Sequence, residues 1–255
     1  MKLIRLILLV LLFWGSNGTT FSQIHLSEII RKAEQGDSKS QINLGILYSI
    51  GVGVEKDFTK AKKWFQQAAK LGHAEAQTLL GNMAHRGEGG AQNFQQAIKW
   101  YNLAAEQGYA TAQNNLGLMY QKGQGVLQNS QEAVKWFSKA TQQGHAKAQN
   151  NLGNLYYKGE GLTQDYQKAF KWFKLSAEQG YGEAQDNLGA MYGLGQGTTQ
   201  DYVEAHRWYH LSSKQGNRKA IRAKNALAGL MSDSQIQEAE RLAEEFRPKT
   251  KKKNP

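Results

Sequence analysis

Between residues 109 and 144 two amphipathic runs follow each other. In the first, Ala112, Leu116, Met119 and Tyr120 are the apolar or small positions. Their offsets of four, seven and eight place them on one face of a helix. In the second, Ala133, Trp136, Phe137 and Ala140 fall at offsets of three, four and seven, again one face. Gly123 and Gly125 stand between the runs, and glycine accepts the left-handed conformation that ends a helix. Asn129 then opens the second run, with a side chain suited to accept the free N–H groups of a first turn. The pattern predicts a helical hairpin.

The hairpin recurs with a period of 36. Trp64, Trp100, Trp136, Trp172 and Trp208 are evenly spaced, and Leu-Gly returns at Leu44, Leu80, Leu116, Leu152 and Leu188. The second helix opens each time on Asp or Asn (Asp57, Asn93, Asn129, Asp165, Asp201), and each unit closes on glycine. Five units therefore fill residues 37–216 without a gap: 37–72, 73–108, 109–144, 145–180 and 181–216. One hairpin cannot bury its apolar faces alone, whereas a stack can, which predicts an all-α solenoid. Its ends need sealing. Residues 23–36 align with a second helix alone and read as an N-terminal cap. Residues 217–247 read as C-terminal capping helices, with a capping box at Ser232–Gln235 and an inner face of Ile236, Ala239, Leu242 and Phe246.

The start of the chain follows a different pattern. Lys2 and Arg5 precede an apolar run over residues 6–14, and small or polar residues follow. That is the layout of a secretory signal peptide, cleaved near Ser22 or after Gly18. Nine apolar residues fall short of the roughly 20 that span a bilayer. The expectation is an exported protein, periplasmic or secreted; an uncleaved N-terminal anchor is the alternative. Cysteine is absent, which excludes disulfides, thiolate metal sites, a cysteine nucleophile and a lipid-modified cysteine. Formal charge is +11, but Lys2, Arg5 and four lysines of the tail supply more than half of it. The repeats are only mildly basic, so nothing demands a nucleic-acid surface. The tail, residues 248–255, is expected to be disordered, either touching an anionic envelope surface or merely solvated.

At these positions the chain resembles the Sel1-like repeat family, relatives of tetratricopeptide repeats. Residues 110–125 read ATAQNNLGLMYQKGQG and residues 164–180 read QDYQKAFKWFKLSAEQG, close to the family pattern. The second unit departs most, with Ala84 where tyrosine is usual and Gly90-Ala91 in its loop; Ser40 replaces alanine in the first. The resemblance implies a right-handed α/α superhelix that acts as a non-catalytic adaptor, its first helices lining a concave groove for a protein or peptide.

Comparison between units separates packing from recognition. Variable positions on the first helices form a stripe, beside which stand Asn43, Asn115, Asn151 and Asn187, with Leu79 breaking the series. An asparagine offers both a donor and an acceptor, so a row of them can hold an extended peptide by its backbone. The candidate partner-binding residues are these four with Asn82, Asn114, Gln121, Asn150, Asn154, Tyr157 and Asp186. The competing reading is that the asparagines bond to a neighbouring helix or loop.

Catalytic, cofactor and metal sites are not expected. His206 and His210 stand at i, i+4 but lack the HExxH context, and read as a surface pair. The G-x-G pairs read as turns. No serine has a lysine three residues on, which weighs against the β-lactamase-type hydrolysis associated with cysteine-rich relatives. The reading is a monomeric binding scaffold with no nucleic-acid partner; recognition of a cell-envelope glycan or anionic polymer is the alternative.

Overall fold

The computed structural model describes residues 18–249, which form thirteen α-helices and no strand. The chain divides into two compact units, residues 1–109 and 110–255. The signal-like run and the end of the lysine tail lie outside the described residues.

In the first unit, α1 (Gly18–Glu34) packs on α2 (Ser38–Ile50), which pairs with α3 (Phe58–Lys70); α4 (Ala74–Arg86) then packs on α3 and pairs with α5 (Phe94–Glu106). The second unit repeats the plan. Hairpins are formed by α6 (Ala110–Lys122) with α7 (Ser130–Gln142), α8 (Ala146–Lys158) with α9 (Tyr166–Ala177), and α10 (Gly182–Leu194) with α11 (Tyr202–Ser213). Within this unit α8 also packs on α7, and α10 on α9. The last two helices are α12 (Arg218–Ala228) and α13 (Asp233–Glu244).

The expected caps form. Asp57, Asn93, Asn129, Asp165 and Asp201 each accept a hydrogen bond from the backbone N–H three residues on, at 2.8–3.0 Å. The first glycine of the G-x-G pairs ends the first helices in the left-handed region, as at Gly51 with φ 74°. The second glycine has a reason of its own. Gly161 (φ 76°) lies on the backbone of Ser130, where an added Cβ would stand 2.5 Å from the Ser130 carbonyl carbon. The loop of one repeat therefore sits flush on the second helix of the repeat before it.

The core is built from alanines and one aromatic ring per hairpin. In the second unit Ala133, Phe137, Ala140, Ala148, Leu152 and Leu155 form one buried cluster, with Trp172 packed against it. Trp172 thus bridges adjacent repeats, as its spacing implies.

The C-terminal cap departs from the repeat plan. α13 packs on α11, and the two capping helices do not pair as a hairpin does. Phe246 meets the Trp208 ring edge-on, with centroids 5.5 Å apart. Pro248 lies beside Gly180, and the Lys249 N–H donates to the Glu178 carbonyl at 2.8 Å. The tail expected to be free from Pro248 onward thus begins as an anchored strap.

Candidate interaction face

In the second unit α6, α8 and α10 carry the stripe. Asn151 Nδ2 donates to Asn114 Oδ1 at 2.9 Å, and Asn187 Nδ2 donates to Asn150 Oδ1 at 2.9 Å. These bonds run from the first helix of one repeat to the first helix of the previous one. Asn114 and Asn150 are 3 % and 1 % exposed, so they hold their neighbours and present nothing to solvent. Asn114 Nδ2 also reaches Asn115 Oδ1 at 3.4 Å. Asn151 and Asn187 are half-buried, and beyond these rungs each amide has a carbonyl oxygen and a second N–H that no other hydrogen bond engages among the described residues.

The ladder stops after Asn187. Asp186 occupies the acceptor position of the next rung, but Ala223 stands where the donor would be. Burial raises the Asp186 carboxyl above its usual range, while Lys219 and a hydrogen bond with Asn217 pull it back. In the first unit the rung is apolar. Ile42 stands at the acceptor position and Leu79 at the donor position, and Leu79 packs against the cluster that contains Ile42. Leu79, which breaks the asparagine series in the sequence, is therefore the matching half of an apolar rung.

Other stripe residues bind the loop of the following repeat. The Tyr157 hydroxyl donates to Gln196 Oε1 at 2.9 Å, and Gln121 Nε2 donates to Glu160 Oε2 at 3.3 Å. The side chain of Asn154, half-buried on α8, makes no hydrogen bond among the described residues. In the first unit Asn82 accepts from the Tyr101 hydroxyl at 2.8 Å, and Asn43 is half-buried on α2. The structure thus brings Asn114, Asn115, Asn150, Asn151 and Asn187 into ladders and fixes Tyr157 and Gln121 against loops.

A second set of bonds went unread in the sequence. Gln107, Gln143, Gln179 and Gln215 each donate to the glutamine 30 residues earlier, at 2.7–2.9 Å, clamping the open end of the hairpin. The fixed spacing was the available signal.

The histidine pair is not at the surface. His206 is 2 % exposed, and both rings are covered because α12 and α13 fold over α11. Among the described residues no group of three or more His, Cys, Asp and Glu side chains is arranged to hold a metal. A cleft of about 370 Å³ lies beside Trp208 and Phe246. Two of its carboxylates are already engaged: Glu204 with Arg207 and Trp208, and Glu178 with Lys249. No described helix is long and apolar enough to cross a membrane.

The Sel1 repeat family model matches residues 38–73, 74–109, 110–145, 146–181 and 182–217, one residue later than the units delimited by glycine spacing. Among solved structures, a Sel1 repeat protein from Oxalobacter formigenes is 33 % identical with a TM-score of 0.72, and the match covers 87 % of this chain and 88 % of that one. The protein c5321, a protective antigen of uropathogenic Escherichia coli displaying an SLR fold, is 31 % identical with a TM-score of 0.55; the match covers 88 % of this chain and 56 % of that one. The immunity protein Pa5087 from Pseudomonas aeruginosa, 19 % identical with a TM-score of 0.53 over 82 % of this chain and 81 % of its own, shares the fold. No curated protein matches the sequence. Five consecutive matched repeats and an all-α solenoid architecture place the chain in the Sel1 repeat family.

Proposed function

We propose that this protein is an exported, non-catalytic scaffold that binds a protein or extended peptide along the face of its first helices. The observation that carries the reading is the asparagine ladder of the second unit. By spending one amide N–H and one buried partner, each rung fixes Asn151 or Asn187 in a single orientation. The groups left over, a carbonyl oxygen and an N–H per rung, are the pair that a peptide backbone requires. Because they are already ordered, little side-chain entropy is lost on binding. Asn154 and Tyr157 stand in the same stripe and supply the side-chain discrimination. Family membership supports a scaffold role, and the apolar run at residues 6–14 supports export.

The test is a crosslinking pull-down from envelope extract with the mature chain, beside variants Asn154→Arg and Lys147→Glu. Both positions lie on α8 outside the ladder, so the fold is kept. Recovery of a discrete protein by the parent and its loss in the variants supports the reading. Equal recovery by all three contradicts it. Recovery of polysaccharide alone, lost steeply with salt, would favour an anionic envelope polymer.

A further inference from the structure

We propose that His206 and His210 form an acid-sensitive latch that releases α13 and its C-terminal strap from α11. His206 Nδ1 and both ring nitrogens of His210 are buried without a hydrogen-bond partner. The rings lie 6.4 Å apart, under α12 and α13. A neutral imidazole tolerates such a site. An imidazolium has two N–H donors and a charge, and here the proton on His206 Nδ1 or on either His210 nitrogen would find no hydrogen-bond acceptor.

The surrounding charges are mixed. From α12, Lys224 opposes protonation of both histidines, and Lys214 after α11 opposes that of His210. From α13, Glu240 favours protonation of both and Glu244 that of His210. The nearest carboxylate oxygen, Glu240 Oε1, is 3.6 Å from His210 Nδ1, too far for a hydrogen bond. Arg207 beside them is committed to Glu204. Asp186 of α10 acts on Tyr209, and it is not among the charges that act on either histidine. Loss of solvent is the largest influence on either ring and lowers the proton affinity of both.

The sign follows from linkage. A group that holds its proton less tightly when docked stabilises the docked state above its free value, 6.5 for histidine here. That stability drains away as pH falls below 6.5. Both histidines act in the same direction, and α13 is the element most easily lost, since it packs chiefly on α11. Release uncovers Trp208, on which Phe246 rests, and frees Glu178 from Lys249.

Hydrogen exchange of the full chain, corrected for intrinsic rates, tests the latch at pH 7.4 and 5.4. The expected result is a severalfold loss of protection over residues 233–249 at pH 5.4. Residues 146–177 stay protected. The double variant His206→Gln/His210→Gln keeps α13 protected at both pH values. Unchanged protection in the parent, parallel loss across both segments, or the same loss in the double variant overturns the proposal. So does Zn²⁺ slowing exchange of residues 233–249 at pH 7.4, which would assign the pair to a metal. Glu240→Gln is a second arm should the double variant misfold. It removes the carboxylate that eases protonation, so release must move to higher pH; no shift, or a shift to lower pH, counts against the latch.

Discussion

Gln107 Nε2 donates to Gln77 Oε1 over 2.8 Å, and in the first repeat the same clamp is missing its donor. Position 71 there is leucine, 63 % exposed, and Gln41 Oε1 is left buried without a partner. Gln41 still donates its amide N–H to the Ala33 carbonyl, as the repeat pattern requires. Leu71→Gln supplies the missing donor and removes an exposed apolar side chain. The expected gain is about 1 kcal/mol in denaturant unfolding, the usual net worth of one hydrogen bond.

The rung between Asn114 and Asn151 can be exchanged for the apolar rung of the first unit. Asn151→Leu alone strands the buried Asn114 carbonyl oxygen and should destabilise by about 1–3 kcal/mol. Adding Asn114→Ile restores a matched pair, as Ile42 and Leu79 form, and recovers most of the loss. Chemical unfolding of the two singles and the double gives the coupling directly. Additive losses would show that the rung is not a unit.

The glycine of the Leu-Gly pairs has a measurable reason. A Cβ on Gly117 would stand 2.5 Å from Phe137 Cε1, so Gly117→Ala must push a fully buried ring and should cost about 1–3 kcal/mol. Gly193, near the end of α10, is the control. A Cβ there meets Ala205 Cβ at 3.7 Å, ordinary contact, so Gly193→Ala should stabilise by about 0.5–1 kcal/mol through helix propensity. Thermal unfolding of both variants reads opposite signs.

Two carboxylates should respond oppositely to acid. Asp165 caps α9, and the hydrogen bond from the Lys168 backbone N–H holds its carboxyl below the usual range. Its contribution is present above its free value of 3.8 and is lost as pH falls. Asp186 is raised by burial, so its ionised form works against the fold, and the asparagine found at positions 114 and 150 should suit the site better. Asp186→Asn should therefore raise stability at pH 7 by about 0.5 kcal/mol. The gain vanishes in acid, where Asp186 is protonated. A stability profile from pH 3 to 8 checks both signs.

These cases mark what the sequence makes readable. Asp57, Asn129 and Gly51 act within one turn of where they stand, so their type and spacing were enough. The repeat register was equally plain, because every unit has the same length. Contacts 30 or 37 residues apart required comparing two positions at once. Leu71 against Gln107, or Ile42 with Leu79 against Asn114 with Asn151, are visible as paired changes but not as single ones. The burial of His206 had no such counterpart. It depends on α13 folding onto α11 instead of pairing with α12, a choice that the apolar face of α13 allows either way.

On the proposed reading the first-helix face receives the partner, and a site-specific photocrosslinker reports which face does so. Placed at Asn154 on α8, it should trap a discrete protein from envelope extract, whereas at Lys171, exposed on α9, it should trap none or far less. Efficient trapping from Lys171 with none from Asn154 would overturn this reading and move recognition to the second helices.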